Sequence, residues 1–184
     1  MFNFERDLNK IELSKIDLLL QELNQNNENY ISKNKSVLDD PDLVELKQFI
    51  DKSIEQYLIE VYEEQTQLKI GNSWLNKTLK NQSHLVHCHA NSYISGVFYI
   101  DTQDDDKIIF YNNDVRNNYY KPIIDNYNEI NSQSWWLPAK KNSLILFHSD
   151  LNHSVPKTSN EKRISLSFNT IIVSDYRIRI TECG

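Results

Sequence analysis

The hydrophobic period of this chain changes once, near residue 66, and that change limits the folds open to it. Before it, apolar residues recur in helical steps. Ile11, Leu13, Ile16, Leu18, Leu19 and Leu20 form a broad face within Leu8 to Leu23, and the Asn-rich run NQNNENY then breaks the pattern. A second helix is signalled at Asp40-Pro41-Asp42, which offers an N-cap, a proline at the first helical position and acid in the first turn. Leu43, Leu46, Ile50, Ile54, Leu58 and Val61 follow at steps of three and four, so the spacing predicts an amphipathic helix as far as Glu64.

Beyond that point the pattern is β. Gln67 to Lys77, Leu85 to Ile100, Lys107 to Tyr111, Leu144 to His148 and Arg163 to Val173 are β-branched and aromatic, many with alternation. Polar, turn-rich segments such as DTQDDD, NNDVRNN and KTSNEK separate them. Helices followed by a run of strands predict an α+β domain, a β-sandwich or barrel with helices on one outer face. There is no internal repeat and no linker-like segment, so the expectation is one domain over 1–184, with a helical part at 1–65 and a β-barrel core at 67–173.

Composition sets the outer limits. A chain of 184 residues with 39% hydrophobic residues is long and apolar enough for a real core. With 20 Lys+Arg against 26 Asp+Glu the net charge is −6, which lacks the electrostatic footprint of a general nucleic-acid binder. Cys88 and Cys183 lie far apart and predict no disulfide framework. The N-terminal MFNFERDLNKIELSK has no signal-peptide character, and no run approaches the ~20 apolar residues of a membrane span. The expectation is a soluble protein of a reducing cytoplasm. Only three glycines occur, so Asn and Asp must serve in many turns that need left-handed backbone.

The chemistry is concentrated in two segments. In HLVHCHANSYISGVFYI, His84, His87 and His89 precede a strand-like run. If the strand includes them, His87 and His89 share a face, and His84 and Cys88 share the other. Two imidazoles on one face are half of a site for a divalent transition metal, although a His-x-His pair alone is equally a hydrogen-bonded surface pair. In SLILFHSDLNHSVPKTSNEKRISLSFN, a strand ends at Phe147, a turn holds His148 and His153, and a new strand begins at Arg163. There Ile164, Leu166 and Phe168 point one way, and Arg163, Ser165, Ser167 and Asn169 the other. The polar face is either exposed or lines a pocket inside a barrel; alternation alone does not choose.

In combination, a His-x-His pair, a later lone His153 and Arg163 ten positions beyond it resemble the Fe(II)/2-oxoglutarate oxygenase superfamily. More narrowly, SWLN, HLVHCHANSYISGVFYI, LILFHSDLNHSV and RISLSFN resemble a family of small 2-oxoglutarate/Fe(II)-dependent oxygenases, many of them from tailed phages of aquatic bacteria. The resemblance covers about residues 67 to 173. It implies a double-stranded β-helix, a jelly-roll or cupin-like barrel with the N-terminal helices packed on one sheet. It implies Fe(II), 2-oxoglutarate and O2, with hydroxylation coupled to oxidative decarboxylation of 2-oxoglutarate as the default outcome.

Carried over residue by residue, the resemblance makes His87 the first iron ligand and His153 the distal one. Arg163 becomes the partner of the distal carboxylate of 2-oxoglutarate, whose shape suits a guanidinium fork. Ser165 and Tyr99 are placed on that same carboxylate. The sequence departs from the family at His89, where an Asp or Glu is usual. His89 is taken as the third ligand, with water or Asp101 as the alternative. Cys88 is expected as a small buried hydrophobe, His84 as surface or supporting polar group, and His148 as a non-ligand. Asp104-Asp105-Asp106 reads as a solvated turn, and Trp135-Trp136 as core at a strand edge rather than a base-stacking platform.

The primary substrate is open among peptidyl residues, free amino acids and nucleobases, with nucleic acid disfavoured by charge. The compartment implied is the cytoplasm, that of the host if the chain is phage-encoded. Two other readings remain: a three-His cupin-like metalloenzyme that does not use 2-oxoglutarate, and a non-catalytic phage sheet or assembly protein.

Overall fold

The structure is a computed structural model that describes residues 4–26, 28–112 and 123–173. Its strands are β1 (Phe4–Glu5), β2 (Leu23–Asn26), β3 (Asn29–Ser32), β4 (Leu68–Leu79), β5 (His84–His87), β6 (Ile94–Asp101), β7 (Lys107–Tyr111), β8 (Ser134–Pro138), β9 (Ser143–His148), β10 (His153–Val155) and β11 (Lys162–Ile172). Its α-helices are α1 (Lys10–Leu19) and α2 (Val44–Tyr57). Among the described residues, no helix is long and apolar enough to cross a membrane.

The strands form two antiparallel sheets. The larger runs β1-β9-β6-β11-β4-β3-β2 and the smaller β5-β10-β7-β8. With both helices on the outer face of the larger sheet, this is the double-stranded β-helix arrangement that the resemblance implied. The Asn-rich segment differs from the expected break. Leu23–Asn26 and Asn29–Ser32 pair as a hairpin, and β3 joins β4 through Tyr30↔Lys77 and Ile31↔Asn76. Asn residues tolerate tight reversals, and an existing strand edge supplies the hydrogen bonds that weak β propensity cannot.

Both helices start where their caps allow. Asn9 Oδ1 accepts from the Glu12 amide at 3.0 Å, and Glu12 Oε2 accepts from the Asn9 amide at 2.8 Å, a complete capping box. Asp40 caps a short 3-10 turn at Pro41–Leu43 that runs directly into α2. The α2 helix ends in a π turn at Leu58–Tyr62, and Glu63 then leaves it in left-handed backbone at φ 54°.

The core divides between the two faces of the larger sheet. On the helix side, Ile16, Leu43, Leu46, Ile50, Ile54 and Leu58 pack on Leu75, Ile94, Phe98, Leu144, Leu166 and Phe168. Gly96 is required there, since a Cβ would lie 2.3 Å from Phe168 Cζ. Between the sheets lies a smaller group of Tyr99, Ile108, Leu137, Ala139, Ile145 and Phe147. The alternation of β11 is thereby resolved. Ile164, Leu166 and Phe168 face the helices, while Arg163, Ser165 and Ser167 are equally buried and line the barrel interior.

Candidate active site

The segment read as one strand from Leu85 to Ile100 is two strands in different sheets. β5 belongs to the smaller sheet and ends at His87, and β6 belongs to the larger. The chain crosses between them through a turn that uses left-handed backbone at Asn91, φ 62°. His89 therefore lies beyond the strand, with its amide donating to the Ser149 carbonyl at 2.8 Å. Cys88 is exposed, which corrects the expectation of a buried hydrophobe, because no strand face directs it inward. Cys183 and the NNDVRNN segment beyond Asn112 lie outside the described residues.

His87 and His153 are paired across the smaller sheet. β10 opposes β5 with His153↔His87 and Val155↔His84, a register shift that adds one residue to β5. This bulge reverses the expected orientation of His84: residues three apart face the same way when they oppose residues two apart. His84, His87, His153 and Val155 all line the barrel interior.

Three imidazoles converge there. His87, His89 and His153 each offer one ligand nitrogen, and these atoms lie within 4.8 Å of one another. His89 Nε2 is 3.2 Å from His153 Nε2, and the two rings are nearly parallel, with centroids 5.0 Å apart. Nδ1 of His87 lies 2.8 Å from the Leu85 carbonyl, and Nδ1 of His153 lies 3.0 Å from the Leu151 carbonyl. A carbonyl only accepts, so each Nδ1 carries the proton and each Nε2 is left with its lone pair. Burial, reinforced by the neighbouring imidazoles, pulls the His89 pKa down to about 4. Burial also takes His153 to about 4, against the opposing effect of the Leu151 carbonyl. Both are neutral at physiological pH, the state that binds a metal. Asp101 is instead paired with Lys162 at 3.1 Å and does not enter the group.

A cavity of about 570 Å³ extends from these histidines along the barrel to Tyr99, Arg163, Ser165 and Ser167. Arg163 is only 3% exposed. Its Nη1 donates to Asp106 Oδ1 at 3.0 Å, and its Nη2 is buried without a hydrogen-bond partner among the described residues. An orphaned guanidinium nitrogen is costly unless a ligand completes it, and a carboxylate is the group its shape suits. Tyr99 is buried nearby, opposite Ser165 in the β6–β11 register. Burial pushes its phenol above the ordinary value, so it remains a neutral O–H donor. The residues present thus fit both groups the resemblance implied: nitrogen donors for a divalent metal at one end, and a cationic fork for a dicarboxylate at the other.

Other sequence expectations meet mixed outcomes. Asp106 is 4% exposed, so the acidic turn is not solvated throughout. Sequence reasoning missed this ion pair, and only the DDD run together with a buried Arg on a later strand could have hinted at it. His84 is held by Thr78, with Oγ1 and Nε2 3.1 Å apart. His148 stands outside the triad, with Nδ1 2.7 Å from Asp150 Oδ1. Trp135 packs on the inner cluster from β8, an edge strand, whereas Trp136 is 55% exposed beneath the Lys107 ammonium. A larger groove of about 850 Å³ between α2 and the ends of β4 and β11 holds none of the triad.

A double-stranded β-helix that brings two strand-borne histidines and a buried arginine to one cavity is the architecture of the 2-oxoglutarate-dependent, non-haem iron oxygenases, with His89 standing where they usually have a carboxylate. Residues 72–169, just over half of the chain, match the family described as "Putative 2OG-Fe(II) oxygenase", and the chain belongs to that family. The family uses Fe(II) and 2-oxoglutarate. Among curated proteins, none matches the chain in sequence.

Solved structures share the fold. The α-ketoglutarate-dependent epimerase SnoN from nogalamycin biosynthesis is 13% identical with a TM-score of 0.65, over 92% of this chain and 77% of its own. HygX from Streptomyces hygroscopicus, solved with nickel, 2-oxoglutarate and hygromycin B, is 10% identical with a TM-score of 0.62, over 92% and 81%. A prolyl-4-hydroxylase from Pseudomonas putida is 12% identical with a TM-score of 0.57, over 91% of each chain.

Proposed function

We propose that this chain is a hydroxylase that couples decarboxylation of 2-oxoglutarate to oxidation of a second substrate, working as a single domain. The observation that carries this reading is the placement of His87, His89, His153 and Arg163 on one cavity. The three histidines would hold Fe(II), Arg163 the distal carboxylate of 2-oxoglutarate, and Tyr99 and Ser165 would donate to that carboxylate. Bound together, iron and 2-oxoglutarate supply the oxidising chemistry, with succinate and CO2 as co-products.

The chain's own contribution is binding, orientation and an apolar inner wall behind the exposed His87. The Leu85 and Leu151 carbonyls hold two imidazoles in the ligating tautomer. With three uncharged imidazoles as ligands, the site would keep a stronger attraction for the dianionic cosubstrate than a carboxylate in place of His89 would allow. Phe147, at 4.7 Å between ring centroids from His153, with Val97 and Ile108, gives the inner wall an apolar character. A dry wall strengthens the electrostatic contacts made beside it.

The all-histidine donor set favours one further reading, a cupin-like enzyme that oxidises its substrate without 2-oxoglutarate. A single experiment separates the two. Anaerobic Fe(II) titration with and without 2-oxoglutarate should produce a weak visible charge-transfer band only when both are present. Fe(II) binding without any spectral or calorimetric response to 2-oxoglutarate would reject the hydroxylase reading and leave the cupin-like one.

A further inference from the structure

We infer that Asp106 is a positioning residue for the cosubstrate. It fixes the Arg163 guanidinium so that one nitrogen is held by the protein and the other is left for the distal carboxylate. This inference rests on the reading of Arg163 given above.

The carboxylate of Asp106 is anchored independently of Arg163. Its Oδ2 accepts from the Gln103 amide at 3.0 Å and from Asn160 Nδ2 at 3.4 Å. Its own amide donates to the Gln103 carbonyl at 3.0 Å, and its carbonyl accepts from the Ala139 amide at 2.9 Å. The turn after β6 and the loop before β11 therefore hold the carboxylate, and the residue after β8 holds the backbone that carries it. Only Oδ1 remains, and it takes Arg163 Nη1 at 3.0 Å.

The side chains of both partners are almost wholly buried, 4% exposed for Arg163 and 1% for Asp106. A long arginine side chain alone in a cavity would sample several rotamers, and its unpaired charge would be expensive to bury. Asp106 removes both problems before any ligand arrives. It does so from one side, and among the described residues Nη2 has no partner. Ordering the fork in advance lowers the entropic cost of binding a dicarboxylate, which is preorganisation in its usual sense. A competing view makes Asp106 only a structural counter-ion, whose loss would loosen the barrel end without regard to which ligand is bound.

Two ligands distinguish these views. 2-Oxoglutarate reaches both the metal and Arg163, whereas oxalate chelates the metal and has no distal carboxylate. In the Fe(II)-loaded protein under anaerobic conditions, Asp106→Asn should weaken 2-oxoglutarate binding at least tenfold and change oxalate binding less than twofold. Arg163→Met should show the same selective loss. Asp106→Glu keeps the buried charge but moves it outward by one methylene, and should give a smaller loss of the same selective kind. It also serves as the test if the Asn variant does not fold. Unchanged 2-oxoglutarate affinity in a folded Asp106 variant, or equal weakening of both ligands, would overturn the inference. If the wild-type protein itself binds 2-oxoglutarate no better than its Arg163→Met variant, the reading of Arg163 fails instead.

Discussion

His89 and His153 bring their Nε2 atoms to 3.2 Å although they are 64 residues apart in the chain. With Nε2 protonated, His89 donates a hydrogen bond to the His153 lone pair; in its other tautomer both nitrogens direct lone pairs at a position a cation would share. If His89 is the third ligand, His89→Ala should lower Fe(II) affinity at least tenfold under anaerobic conditions. His89→Asp restores a two-His, one-carboxylate set and should retain binding. Wild-type affinity in the Ala variant would remove His89 from the ligand set.

Arg163→Met should abolish 2-oxoglutarate binding while leaving Fe(II) binding nearly intact. A charge-assisted contact in a desolvated pocket is worth on the order of 2–5 kcal/mol when one partner is removed. Arg163→Lys should recover little, because an ammonium cannot bridge Asp106 and a second carboxylate with planar geometry. Isothermal calorimetry on the three proteins is the direct measurement.

The His84 pKa is drawn down to about 3, first by burial and then by the Arg163 charge and the nearby histidines. The unfolded chain binds that proton near pH 6.5, so it takes up more protons than the folded state as pH falls. The stability contributed is complete above about pH 6.5 and is lost as pH falls toward about 3. His84→Gln should flatten part of the acid limb of the apoprotein's melting curve. The gain should be a few degrees, since ~1 kcal/mol is worth about 2–4 °C in a domain of this size. An unchanged acid limb would show that His84 titrates normally.

Gly96→Ala should destabilise the fold. Its Cβ would meet Phe168 Cζ at 2.3 Å, Phe168 Cε1 at 2.7 Å and Leu146 Cδ2 at 2.8 Å. Phe168 is fully buried and has no room to turn aside. Overpacking of this kind costs about 1–3 kcal/mol, to be read from the denaturant midpoint.

Much of this site was legible because its chemistry is carried by local patterns. The alternation from Arg163 to Phe168 requires only strand periodicity, whereas the roles given to His87, His153 and Arg163 came from the order in which they resemble the oxygenase family. What alternation could not supply was which face of β11 is inside, because that depends on the helices covering the opposite face. His84 was placed on the wrong side because a bulge changes strand parity without altering composition. Cys88 was expected to be buried because the strand was taken to continue past His87. Asp106 looked like any acidic turn residue, since its burial arises from Asn160 and Ala139, far away in sequence. The Asn-rich hairpin was invisible for a related reason: the edge of β4, not its own propensity, makes it a strand.

β5 stands at the margin of the smaller sheet and, among the described strands, has β10 as its one neighbour there. Its last residue, His87, faces His153, the first residue of β10. An ion shared by these two would act as a clasp on an edge strand of the barrel. Occupancy would then be felt mechanically as well as chemically, with amide exchange in β5 slowing on loading while the helix-covered strands scarcely respond.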